Sequence, residues 1–277
     1  MAPLLDRADW LQARDVMEAR VRDHATAVPL GPDRMLCRVL GHFKLMCDPR
    51  DLSLTPHLAL DGFWEYWLTR FAVAAIRPGD VTIDAGANIG YYSVLFGHLA
   101  GESGRLIAFE PVPASFDLAQ INLLINGLTQ RGSLHGMALG DGSEDELILT
   151  RMPGHSANSH MNPSGDGPKI SVTTLDEACP GPAHFIKVDV EGMEEAVWRG
   201  MQGLLARSPD AIVIIEVNGQ RCRDMPGLLR SMEAVFPLRE LTYHGTVEPV
   251  LMDPIIGRRD DTLMCLTRRN LDSLLEG

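Results

Sequence analysis

Cysteine is scarce in this sequence, and the five that occur, Cys37, Cys47, Cys179, Cys222 and Cys265, are scattered, odd in number and without a C-x-x-C pair. That excludes a disulfide framework and gives no zinc motif, so reduced thiols in a cytoplasmic protein are expected. Long apolar runs are missing too. No segment approaches the ~20 apolar residues of a membrane span. The first 25 residues, MAPLLDRADWLQARDVMEARVRDHA, thread charges of both signs through their apolar positions, unlike a signal peptide. A soluble, cytoplasmic chain with no membrane partner is the expectation. Basic residues are outnumbered: 25 Lys and Arg face 37 Asp and Glu, a formal net charge of -12, which argues against nucleic acid or anionic lipid as a general partner.

What the chain does have is length and alternation. Its 277 residues suit one large α/β domain, residues 79–277, behind an N-terminal helical and β extension, residues 1–78. In the extension, residues 1 to about 27 read as a helix with Leu11, Met17 and Val21 inward, VPLGPDR as a turn and RMLCRVLGHFKLMCD as a short β piece. Helical period resumes in LDGFWEYWLTRFAVAAI, where Leu60, Phe63, Trp64, Trp67, Leu68 and Phe71 share one face. That face packs on the core or closes as a lid, and the extension is a lid, a homodimer interface or both.

From residue 79 short apolar strands (VTIDAG, RLIAFEP, SLHGMAL, HFIKVDV, AIVIIEV) alternate with amphipathic helices, interrupted by a polar hairpin region between ELILT and TLDE, with closing strands near LRELTYH and TLMCLTR. This predicts a parallel sheet covered on both faces, and with right-handed crossovers a doubly wound, mostly parallel, Rossmann-like α/β fold. Residues 151–168, rich in Gly, Pro, Ser and Asn with two His, are the least regular stretch.

In such a sheet the ligand lies outside the carboxyl ends of the strands, closest to the turn after the first one. That turn carries Asp84, Gly86, Asn88 and Gly90, followed by Tyr91 and Tyr92 on the first helical turn, where they flank the cofactor or join the core. A glycine there admits close backbone approach, and Gly90 admits tight packing of the next helix. The spacing lacks the G-x-G-x-x-G that sets a helix N-terminus against a pyrophosphate, and Asn88 stands in the second glycine's place. The second strand ends in Glu110 and Pro111; a carboxylate there accepts hydrogen bonds from both ribose hydroxyls of an adenosine and repels a 2′-phosphate. Two acids suit S-adenosylmethionine, whose amino and sulfonium groups are positive, better than a diphosphate. A nicotinamide-dependent oxidoreductase is the competing enzyme reading, and a cofactor-binding scaffold docking through Trp64 and Trp67 the non-enzymatic one.

The combination of IDAGANIGYYS (83–93), IAFEP (107–111), MALGD (137–141), TLDE (174–177) and FIKVDVEGMEEAVWRGM (185–201) resembles the FkbM family of S-adenosylmethionine-dependent methyltransferases, over about residues 80–220. The resemblance implies that Asp84, Gly86, Asn88, Gly90 and Glu110 bind the cofactor. It also implies methylation of a hydroxyl oxygen on a sugar or polyketide natural product. The partner would then be a small-molecule or glycan hydroxyl acceptor.

Methyl transfer to a hydroxyl needs in-line alignment and a route for the proton. Lys187, Asp189 and Glu191 alternate at the end of HFIKVDV, with Asp189 and Glu191 as base candidates or turn anchors and Lys187 as their ion-pair partner or a base lowered by burial. Glu216 and Asn218, at the end of the next strand, join Asp189 as an oxygen set of the type Mg²⁺ prefers. His155 and His160, in the irregular loop, are further proton-transfer candidates. Arg258 and Arg259 would meet an anionic substrate or lie solvated.

Overall fold

The computed structural model of the chain describes residues 6–10, 12–150, 160–162 and 164–271. Its N-terminal extension is more broken than the pattern predicts. Two short helices, α1 (Arg7–Trp10) and α2 (Arg14–Arg22), replace the single one, and the expected turn begins with a strand, β1 (Thr26–Pro29). β1 joins β2 (Met35–Val39) and β3 (Phe43–Cys47) in an antiparallel sheet of order β1-β2-β3. Met17 and Val21 are buried, whereas Leu11 lies outside the described residues. The expected continuous aromatic helix is two, α3 (Thr55–Leu60) and α4 (Tyr66–Ala75). The break has a backbone cause: Gly62 and Glu65 both take positive φ, +74° and +38°. Leu60 is consequently 75% exposed, while Phe63, Leu68 and Phe71 are buried and Trp64 and Trp67 half-buried.

The catalytic-type framework follows. β4 (Val81–Ala85), α5 (Tyr91–Leu99), β5 (Arg105–Phe109), α6 (Pro113–Ile125) and β6 (Gly132–His135) alternate as expected. Next come β7 (Ala138–Leu139), β8 (Glu146–Thr150), β9 (His160–Asn162) and β10 (Lys169–Thr173), a second sheet of order β7-β10-β8-β9. SLHGMAL, expected as one strand, is thereby divided, its end crossing to this second sheet.

After α7 (Leu175–Ala178), β11 (Phe185–Val188) returns to the central sheet, followed by α8 (Glu194–Arg199), α9 (Gln202–Arg207), β12 (Ile212–Val217), α10 (Met225–Glu233), β13 (Arg239–Leu241), β14 (Val247–Pro249), α11 (Met252–Ile256) and β15 (Thr262–Leu266). EEAVWRGMQGLLA is two helices because Gly200 meets another backbone: a Cβ there would lie 2.0 Å from the Gly140 carbonyl oxygen. The eight-stranded sheet has the order β14-β13-β15-β12-β11-β4-β5-β6, parallel from β6 to β12 and antiparallel beyond. β11 and β12 are buried along their whole length, the expected consequence of helices on both faces. One core face carries α4, α5, α6 and the extension, and the other α8, α9 and α10. The chain reverses its direction of travel across the sheet between β4 and β11, so the crevice at their carboxyl ends is the ligand position of this topology. Among the described residues no helix is long and apolar enough to cross a membrane.

Candidate active site

A cleft of about 640 Å³, counted to its open mouth, lies at that crevice. Gly86 and Asn88 from the turn after β4, Glu110 to Val112 after β5, Met137 to Leu139 from β7, and Asp189 to Glu191 after β11 line it, together with Phe109, Met161 and Met193. The turn is built from three left-handed residues, Gly86 (φ +85°), Asn88 (+49°) and Gly90 (+86°), and Asn tolerates this conformation better than other side-chain-bearing residues do, which explains it in a glycine's place. Gly86 serves more than ligand approach. A Cβ on it would sit 1.7 Å from the Asp189 carbonyl oxygen, so the two strand-end loops touch backbone to backbone.

Glu110 ties the cleft together. Its carboxylate accepts the backbone N–H of Asn88 at 2.7 Å and of Val112 at 2.9 Å, leaving lone pairs for a ligand. Burial pushes its pKa up to about 7, against the pull of those two N–H groups.

Four cofactor candidates, Asp84, Gly90, Tyr91 and Tyr92, stand back from the cleft. Asp84 is 0% exposed; Ser93 donates to its Oδ2 at 2.5 Å, and its Oδ1 has no partner among the described residues. Burial raises its pKa, with Lys187 opposing. Gly90 abuts Ala119 of α6, where a Cβ would come within 3.4 Å. The Tyr91 hydroxyl pairs with Thr69 Oγ1 at 3.0 Å inside the core, and that of Tyr92 donates to Glu65 at 2.7 Å. Neither tyrosine is among the residues that line the cleft.

The catalytic candidates separate likewise. Lys187 is buried, donates to Asp189 Oδ2 at 2.9 Å and lies 5.1 Å over the Tyr92 ring. Burial pulls its pKa down, but Asp189, Asp84 and Glu65 outweigh this and hold it above the ordinary value. That direction favours the charged ammonium, the state of a counter-ion for Asp189. Glu191, in the left-handed region at φ +50°, accepts from Arg221 at 2.7 Å, and burial beside Asp189 raises its pKa to about 8. Asp189 lines the cleft and does not cap α8, whose N-cap is Met193. His155 lies outside the described residues; His160 opens β9, and its side chain is not described.

Of the expected oxygen set of Asp189, Glu216 and Asn218, the two carboxylates come together and are joined by Glu191. Carboxylate oxygens of Asp189, Glu191 and Glu216 lie within 4.8 Å of one another, whereas Asn218 turns its amide to Asp261 and to the Gln220 N–H. Arg221, unremarked in the sequence, donates to Glu191, Glu216 and Asp261 at 2.7, 2.8 and 2.6 Å and supplies there the charge a cation would bring. Arg258 pairs with Glu240 at 2.5 Å.

A second cavity of about 970 Å³, counted to its mouth, opens between the extension and the C-terminal strands. Glu65, Trp64, Trp67, Tyr243, Asp261 and Glu216 are among its walls. Glu216 lines this cavity and Asp189 and Glu191 the first, so the carboxylate trio is the partition between them. Sequence reading placed Trp64 and Trp67 on a lid or core face but gave no sign that Glu65 or Asp261 would converge on Glu216.

A stretch of 118 residues, 43% of this chain and 42% of the relative, is 27% identical to the protein-L-isoaspartate O-methyltransferase of Aeropyrum pernix. Another of 47 residues, 17% of this chain and 18% of the relative, is 47% identical to the 31-O-demethyl-FK506 methyltransferase FkbM of Streptomyces tacrolimicus. The chain thus spans less than half the length of these curated relatives. The crystal structure of the methyltransferase FkbM from Methylobacillus flagellatus superposes with a TM-score of 0.46 at 18% identity, over 76% of this chain and 52% of that one. Residues 84–244, more than half of the chain, match the methyltransferase FkbM domain. The chain therefore belongs to the FkbM methyltransferase family, and this stretch is its S-adenosylmethionine-dependent methyltransferase domain.

Proposed function

We propose that the protein is an O-methyltransferase that methylates a hydroxyl of a glycan or secondary metabolite. The observation that carries this is the meeting of two cavities at the Asp189, Glu191 and Glu216 carboxylates; the reading assigns the first to the cofactor and the second to the acceptor. The residues present fit S-adenosylmethionine: Glu110 holds unused lone pairs for ribose hydroxyls, Gly86 and Asn88 present backbone at the cleft, and the surrounding acids favour a cation. The cofactor supplies an electrophilic methyl group on a sulfonium.

The chain supplies position and a proton acceptor. Asp189, on the cleft wall and oriented by Lys187, takes the hydroxyl proton as the oxygen is methylated. Lys187 then stabilises the arrangement as a fixed positive charge. The relative's name, 31-O-demethyl-FK506 methyltransferase, supports a natural-product hydroxyl as acceptor.

The test is incubation with S-adenosylmethionine carrying a labelled methyl and a panel of polyols and hydroxylated metabolites. Label retained through alkaline treatment marks an ether and supports the proposal. Base-labile label marks a carboxyl methyl ester and overturns it.

A further inference from the structure

The second cavity has a chemistry narrower than that of a generic hydroxyl site. We propose that it takes an acceptor bearing an ammonium group as well as hydroxyls, an amino sugar or aminocyclitol in class; this rests on the methyl-transfer reading of the adjoining cleft. Three independent observations lead there.

The first is charge. Five carboxylates line the cavity, those of Glu18, Asp61, Glu65, Glu216 and Asp261, against two guanidiniums, Arg14 and Arg22. Both guanidiniums are already paired, Arg14 to Glu18, and Arg22 to Asp61 and Glu18. On the inner side the same Arg221 Nη2 serves Glu216 and Asp261 together, and Glu65 has the neutral Tyr92 hydroxyl as its hydrogen-bond donor. Burial and the neighbouring acids raise Glu65 to about 7 and Glu216 to about 10, so the inner end lacks the positive charge that would keep both ionised, which favours an ammonium over a phosphate or carboxylate.

The second is the aromatic wall. Trp67 and Tyr243 meet edge to face with centroids 4.7 Å apart, and the Arg14 guanidinium lies 5.1 Å over Tyr66 and 5.9 Å over Trp67. These rings already hold a cation at their faces.

The third is unmet hydrogen-bonding capacity. Tyr66, which lines the cavity, is 2% exposed, and its hydroxyl has no partner among the described residues; neither has the buried indole N–H of Trp67 beside it. Two orphaned donors call for oxygens with lone pairs, while the carboxylates call for a cationic donor. A polyol with an amine meets both demands.

The experiment compares D-glucosamine, D-glucose and D-glucose 6-phosphate as probes of the full chain by calorimetry near neutral pH. Glucosamine is expected to bind about tenfold more tightly than glucose, as for one added charge-assisted contact, and glucose 6-phosphate more weakly than either. Glu65→Gln should bring glucosamine down to the level of glucose and leave glucose unchanged; Asp261→Asn, at the cavity rim, is the second variant should the first not fold. Equal affinities for glucosamine and glucose, preference for the phosphate, or binding of none of the three would overturn the proposal. S-adenosylhomocysteine titrated into the same samples separates the two readings. Its binding without an amine preference sinks only this inference, and an amine preference without its binding sinks only the methyl-transfer reading.

Discussion

Lowering the pH should weaken binding of S-adenosylhomocysteine, with Glu110 as the main contributor. Its pKa in the free protein is about 7. The carboxylate form is then about nine-tenths populated near pH 8 and about one-tenth near pH 6, and ribose hydroxyls that donate to it bind that form. The apparent dissociation constant is the intrinsic one divided by this fraction, so it should rise about tenfold between those pH values. Glu110→Gln should bind more weakly by about 1 to 3 kcal/mol near pH 8, with a shallower slope than the native chain because only Glu191 of the cleft still titrates in this range. Stability carries the opposite sign. Because the folded pKa lies above the ordinary value of 4.5, the group's contribution is full below that value and is lost as the pH rises through about 7. The loss amounts to about 3 kcal/mol, and a carboxylate-binding ligand offsets part of it. Calorimetric titration at several pH values reads the affinities, and thermal unfolding reads the stability. A flat profile for the native chain, or the same slope in Glu110→Gln, would refute the placement of Glu110 against the ribose.

Three further outcomes are expected. Gly86→Ala forces apart the loops after β4 and β11, since its Cβ would lie 1.7 Å from the Asp189 carbonyl, and should abolish S-adenosylhomocysteine binding while lowering the melting temperature; a native affinity would show that the loops can separate freely. Lys187→Met leaves Asp84 and Asp189 without their buried counter-charge and should cost about 3 to 5 kcal/mol in chemical denaturation. Arg221→Ala frees the carboxylates of Glu191 and Glu216, so Mn²⁺ or Mg²⁺ should raise the melting temperature of this variant and not that of the native chain. An equal response in both would make the trio a metal site already.

The strand and helix order from Val81 onward was legible because buried parallel strands are short unbroken apolar runs, and RLIAF, FIKV and IVIIEV can be little else. Asn88, Glu110 and Pro111 could be placed near the cleft for the same reason: once the strands are located, their ends are known. Side-chain direction was the harder problem. Asp84 sits one residue before the strand end and points into the core, and Tyr91 begins a helix whose first turn is wholly buried. Gly86 illustrates a cause hidden from sequence, since the backbone it must clear belongs to Asp189, about a hundred positions away.

The extension was misread because helical spacing survives across a break. Phe63, Trp67 and Phe71 keep the period of one helix, yet Gly62 and Glu65 turn the backbone left-handed between α3 and α4. That turn is what carries Glu65 to Tyr92 and to the wall of the second cavity. Arg221 was invisible for a different reason. Nothing in GQRCRD marks it, and only the side-by-side placement of β11 and β12 brings Glu191 and Glu216 within its reach.

The most direct test of the account is calorimetric titration of the full chain with S-adenosylhomocysteine and, separately, with NAD. The account predicts saturable one-site binding of S-adenosylhomocysteine that Glu110→Gln weakens, and none of NAD. Binding of NAD in its place, or of neither ligand, would contradict it.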